Sequence, residues 1–349
     1  MEPLASDHPA AMASSRRLAY HGLMIRSASA DLLYAADVHV VPTHAVPTTV
    51  AQPFWLAWHL SPLPTLVILA AGLLYALAWR ALRRRGAARL GIGLAIAYGL
   101  GLAALAVALL GPLDSFNDDS FSLHMLQHLA LVQVAAPLLI LGRPWQVLLQ
   151  ALPSRMVGKA THALLRPRVG RGLWRVAAHP LTALVAFNLP MALWHMPGPY
   201  VAALGDDRLH DLEHLSFFLG ALLLWWQILP PAPHRPPSSV GARAALLFGS
   251  AMVGDVVAAG LTLSTRLLYA PYAGRAGLGG RDALADQQLG GKVMWLGGLM
   301  FNALLLRMLL GAFRADLEPA APRGPAAAPP PAPAPPPDSG EGAGGRASG

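Results

Sequence analysis

Seven apolar runs dominate this chain, at about Leu63–Leu82, Leu90–Leu110, Ser122–Leu141, Pro180–His195, Asp211–Leu229, Gly241–Ser264 and Gly290–Phe313. Each is near the ~20 residues that a helix needs to cross a bilayer. Inside lipid a backbone must satisfy its own polar groups, so runs of this length predict helices. The fold expected is all-α, a polytopic transmembrane helix bundle of about seven spans. The fourth run is the shortest and is flanked by polar residues. Composition agrees: charged residues make up 13% of the 349, against about 25% in a soluble domain.

The net charge of +8 would suggest nucleic acid in a soluble protein. Here the arginines sit in alternate loops between apolar runs, as membrane orientation requires. No nucleic-acid partner is expected. Arg80, Arg83, Arg84, Arg85 and Arg89 follow the first run, and Arg143, Arg155, Lys159, Arg166, Arg168, Arg171 and Arg175 follow the third. Arg235 and Arg243 follow the fifth, and Arg314 follows the seventh. The opposite loops hold Asp114, Asp118, Asp119, Asp206, Asp207, Asp282 and Asp286 with few arginines. The basic loops are therefore expected in the cytoplasm, with the N-terminus outside and the C-terminus cytoplasmic. The basic loop 142–177 is long enough for an interfacial helix against anionic lipid headgroups.

Three regions follow. Residues 1–52 read as a poorly ordered leader without a clean signal peptide, and 53–314 as the bundle. Residues 315–349 are rich in Pro, Ala and Gly and read as a disordered cytoplasmic tail. There is no cysteine, which excludes disulfides and thiolate metal sites. Walker loops, dinucleotide fingerprints, Ser-centred elbows and HExxH are missing too, so an enzyme is not expected.

On this topology five of the thirteen histidines fall in one layer near the outer surface. His124 and His128 lie in the third run, His195 closes the fourth, and His210 and His214 open the fifth. The two i,i+4 pairs each share a helix face, about 6 Å apart, and can chelate one metal. Both helices begin outside, so their N-terminal dipole ends favour neutral imidazole, the ligating form. Glu213 and Asp211 are candidate outer-sphere acceptors that fix a tautomer. Met125 and Met196 add thioethers, although methionine more often only packs. Imidazole and thioether without cysteine suit copper, above all Cu(I). Interfacial structural histidine is the bland reading, and five in one layer argue against it. Asp255 in the sixth run should face the bundle interior, either as a polar partner or as a proton site. Trp194, Trp225, Trp226 and Trp295 read as interface anchors or packing. Gly142-Arg143-Pro144 reads as a helix stop without chemistry.

Several segments resemble the CtaG-type cytochrome c oxidase assembly factor family of the multi-span type. They are FSLHMLQHLALVQVAAPLLILGRP from Phe121, LWHMPGPYVAAL from Leu193, HDLEHLSFFLGALLLWW from His210, LLYAPYAG from Leu267 and ADQQLGGKVMW from Ala285. The combination of HMxxH, WHxP, HxxEH and DQQxxG is specific where any one alone is weak. The resemblance runs from about 53 to 312. It implies a protein of the bacterial plasma membrane that helps mature a haem-copper oxidase, with oxidase subunits and the lipid bilayer as partners. It also implies a role in supplying or inserting copper. His124, His128, His195, His210 and His214 are the candidate ligands by the same resemblance. Asp286 and Gln287, from the DQQ motif, would be polar partners on the same face. Two other readings stay open: a haem-binding electron-transfer protein with axial histidines, and a copper transporter. The second is weakened because polar residues stop in the outer half.

Overall fold

The structure, a computed structural model, describes residues 53–86, 91–153, 155–159, 168–229 and 238–317. The expected leader and the tail beyond Leu317 lie outside the described residues. Helices occur at all seven predicted places. Among the described residues the remainder is short helix, turn and loop, with one isolated β-bridge between Gly277 and Arg281.

Helix α1 (Pro62–Arg84) starts on a proline, whose missing N–H is harmless there, and ends on Arg83 and Arg84, which suit the negative end of the helix dipole. Next come α2 (Ile92–Leu109) and the single turn α3 (Pro112–Ser115). The third run is one path in three parts: α4 (Phe121–Leu129), a π-helical stretch (Ala130–Ala135) and α5 (Ala136–Leu141). A simple helix was expected there. Pro137 has no N–H to return to the Gln133 carbonyl, so the hydrogen-bond ladder slips beside it. The freed Val132 carbonyl accepts the indole N–H of Trp225 at 2.7 Å. Arg143, at φ 52°, turns the chain into α6 (Pro144–Ala151).

An amphipathic helix α7 (Arg168–Ala177) follows in the basic loop. It bends by 68° into α8 (Pro180–Trp194). Helices α9 (Pro197–Leu204), α10 (Asp207–Ile228), α11 (Val240–Leu263) and the 35-residue α12 (Ala283–Leu317) complete the chain. Thus α12 runs past the predicted bundle end at 314.

Among the described residues five helices are long and apolar enough to cross a membrane, or six with the bent α7–α8 pair. Helix α10 is long enough at 22 residues. Its first half carries Asp207, Arg208, His210, Asp211, Glu213 and His214, and that is where its apolarity fails. Leu63, Leu66, Leu69, Leu73 and Leu77 of α1 are exposed, as a lipid-facing helix requires.

The core is built by α8 on α10, α11 on α12 and α4 on α12. Two glycines permit these approaches. A Cβ on Gly220 would strike the Ala186 carbonyl, and one on Gly290 would strike the Phe121 ring. Small residues at crossings are how membrane helices gain close packing. Leu131, Phe187, Phe217, Leu224, Trp225 and Phe301 fill the space between. The starts of α4, α10 and α12 thereby meet at one end of the bundle.

Candidate metal centre

Helix α4 opens with Ser120, whose hydroxyl accepts the Leu123 N–H. Three residues into the helix His124 is fully buried, and one turn later His128 is buried too. Helix α10 opens with Asp206, whose carboxylate accepts the N–H groups of Arg208 and Leu209. His210 and His214 then face the α4 pair. Ring centroids are 4.4 Å apart for His124–His128 and 4.3 Å for His210–His214. Across the helices they are 5.2 Å for His124–His210, 5.9 Å for His124–His214 and 5.2 Å for His128–His214. His195, the residue after α8, is 6.1 Å from His128.

Among the described residues three sets of donors converge within 4.8 Å: His124 with His128 and His214, Asp114 with His210 and His214, and His124 with His210 and Glu213. Four of the five predicted histidines therefore share ligand groups, and His195 stands one ring beyond them. Asp114 is an addition that sequence reading placed only among loop charges.

The donor atoms are poised. The Nε2 atoms of all five histidines are buried and have no hydrogen-bond partner among the described residues. Both carboxylate oxygens of Glu213 are in the same state. Glu213 is 0% exposed, and the imidazole Nε2 of His128 lies 3.6 Å from its Oε1. A carboxyl buried this way is either protonated or, when ionised, paired or bound to a cation.

Two tautomers follow from the partners. His195 Nδ1 lies 2.7 Å from the Met191 carbonyl, which can only accept, so Nδ1 carries the proton. For His124 the argument passes through two phenols. Tyr272 donates to the Asn117 carbonyl at 2.9 Å, which uses its one proton. Tyr200 then donates to Tyr272 at 2.8 Å, and the Tyr200 oxygen accepts from His124 Nδ1 at 2.8 Å. Both histidines present an Nε2 lone pair. Burial raises both phenols well above their usual range and keeps them neutral donors. These tyrosines were missed as site residues, although Tyr200 and Tyr272 stand inside the quoted motifs.

Asp286 and Gln287 reach this end of the bundle but serve as scaffold. Asp286 accepts from the hydroxyls of Ser120 and Ser122, at 3.0 and 2.6 Å, and from the N–H groups of Ser122 and Leu278. It ties the start of α12 to the start of α4. Gln287 accepts the Leu268 N–H and donates to the Arg266 carbonyl. Both are aimed at backbone and serine because they lie in the first turn of α12, beside the loop they hold. Asp211 is exposed, facing away from the cluster. Asp114 accepts from Gln127 at 2.6 Å and contacts His59 at 2.8 Å. Met125 is buried, whereas Met196 is 55% exposed. Asp255 is half-buried with its carboxylate against Gly298, so a side chain at that position would force Asp255 to move.

Fold and centre together define a polytopic helical membrane protein with a buried imidazole–carboxylate cluster at one end of its bundle. The chain belongs to the cytochrome c oxidase caa3 assembly factor (Caa3_CtaG) family, whose model matches residues 73–315. It is 29% identical over 244 residues to uncharacterised proteins of Mycobacterium bovis and Mycobacterium tuberculosis, a match covering 66% of this chain and 35% of each relative. An uncharacterised protein of Mycobacterium leprae is 24% identical over 253 residues, covering 69% of this chain and 37% of the relative. The match thus spans little more than a third of these relatives. No solved structure matches the chain.

Proposed function

We propose that this chain is a non-enzymatic assembly factor of a bacterial haem-copper oxidase, holding copper as cargo and handing it to an oxidase subunit. Its place is the plasma membrane, crossed seven times, with the histidine end outside and the C-terminus in the cytoplasm. Family membership supports the oxidase as target. The observation that carries the copper reading is the set of unpartnered donors: five imidazole Nε2 atoms and the two Glu213 oxygens. With no cysteine in the chain, nitrogen, carboxylate and thioether donors are what copper would find. A cation bound among the imidazoles would favour ionisation of the buried Glu213 carboxyl, which could then serve as an oxygen ligand. Rings only 4.3–5.9 Å apart favour a bare ion over a porphyrin among those four histidines.

The test is a Cu(I) competition titration on detergent-purified protein, with oxidase maturation followed in cells. His128→Ala and His214→Ala should each abolish maturation while the chain still inserts. Binding should weaken on acidification, since protonated imidazole cannot ligate. Unchanged affinity and full maturation in both variants would return the histidines to packing. A Soret band in the purified protein would favour haem instead. Reporter fusions at Gly170 and Gly279 should report opposite compartments if the seven-span topology is right.

A further inference from the structure

His195 is 8% exposed, its Nε2 has no partner, and it belongs to none of the three close donor groups. It lines a cavity of about 40 Å3 that also touches His128. This space exceeds the ~10–15 Å3 that one water needs. The cavity lies on the side of the cluster toward the bundle interior, since Gln133, Ser250 and Phe301 are in its wall. Three methionines from three helices line it: Met125 of α4, Met191 of α8 and Met294 of α12. Its wall also holds Gln133, whose Oε1 is buried without a partner.

We propose that this cavity is a second metal subsite, an imidazole–thioether site for a soft monovalent ion, Cu(I) in the cell. His128 and His195 supply nitrogen, and Met125, Met191 and Met294 supply sulfur. The proposal rests on the copper reading above and gives the cluster an inner neighbour; His128, with the single lone pair of a neutral imidazole, serves the inner subsite while His124, His210 and His214 hold the outer one. The 6.1 Å separation of the His128 and His195 rings is close to the 5.9 Å of His124–His214 and wider than the 4.3–5.2 Å of the remaining pairs. An ion between two imidazoles needs such a gap, at about 2 Å from each nitrogen. Methionine alone would be gap-filling. His195, a residue of the same wall with its Nδ1 held by the Met191 carbonyl and its Nε2 unpaired, separates a ligand set from packing. Met191 contributes twice, because its carbonyl fixes the His195 tautomer and its side chain lines the space. Thioether ligands select Cu(I) over harder divalent ions, so the inner subsite discriminates where the imidazole–carboxylate cluster does not.

The experiment uses the full chain in detergent, loaded with buffered Cu(I) and read by copper-edge X-ray absorption and by stoichiometry. Wild type should show both Cu–N and Cu–S scattering and bind about two Cu(I), one per subsite. The combined Met125→Leu, Met191→Leu, Met294→Leu variant, nearly volume-conserving, should lose Cu–S scattering and about one equivalent, keeping Cu–N. Should the triple variant misfold, Met191→Leu and Met294→Leu singly should each lower the Cu–S amplitude. Zn(II) affinity should be the same in wild type and variants. Nitrogen-only scattering in wild type, or Cu–S scattering that survives the triple variant, overturns the subsite while leaving the histidine cluster standing. A wild type that binds no Cu(I) overturns both.

Discussion

The two ends of the bundle treat their polar residues in opposite ways. At the histidine end the imidazoles turn inward, His124, His128, His195 and His214 being 0–8% exposed, while Asp206, Asp207 and Asp211 around them stay exposed. At the other end Arg83, Arg84, Arg171, Arg175 and Arg314 are exposed. Helix α7 at that end carries exposed Leu173, Trp174 and Val176 beside its arginines, the pattern of a helix lying in an interface. The chemistry of the side chains explains the contrast. Arginine is always charged and long enough to snorkel, so it marks orientation and stays wet. Imidazole can be neutral and can enter the core, where an unshared lone pair becomes a ligand. Polar residues at helix ends are alike in sequence; burial is what divides a topology marker from a site.

Four tests would break or sharpen this contrast. The largest effect is expected from His124→Ala with His214→Ala, which leaves none of the three donor groups intact. Cu(I) affinity should drop by more than about a hundredfold, beyond what loss of an outer partner costs. Arg171→Gln with Arg175→Gln should leave it unchanged in the same titration, and equal losses would erase the distinction between the ends. Next is Asp286→Ala, which strands Ser120, Ser122 and two backbone N–H groups. It should destabilise the bundle by about 2–4 kcal/mol in detergent unfolding, against about 0.5 kcal/mol or less for the arginine pair. Equal stabilities would mean Asp286 is not the tie described.

Tyr272→Phe should act through the relay. Copper affinity should fall by about tenfold, and nitrogen NMR should show His124 losing its fixed Nδ1–H form. An unaltered tautomer would remove the phenols from the site. The smallest effect concerns alkali. Burial raises the Tyr200 and Tyr272 phenols, so their contribution is intact below the unfolded value of about 10 and is lost as pH rises through the folded values. Stability should hold up to about pH 10 and then decline, and Tyr200→Phe should soften that decline. Unfolding curves across alkaline pH would show it.

Much of this was legible in the chain itself. Apolar length predicted each helix, because a backbone in lipid has no alternative to its own hydrogen bonds. The 3.6-residue period put His124 over His128 and His210 over His214, since that geometry is local. The charge pattern separated the two ends. What no single helix encodes is its rotation about its own axis relative to its neighbours. Helix α10 is apolar on nearly every side in its second half, so its sequence does not say which face meets α4. Tertiary packing decided that the histidine pairs oppose each other and that Asp114 joins them. It also decided that His195 stands one ring away over a methionine-lined cavity, and that Asp286 and Gln287 hold scaffold. The tyrosine relay needed Tyr200 and Tyr272, 72 residues apart, to meet over His124. Local rules stop at the helix surface, and the site is made where several surfaces close on one another.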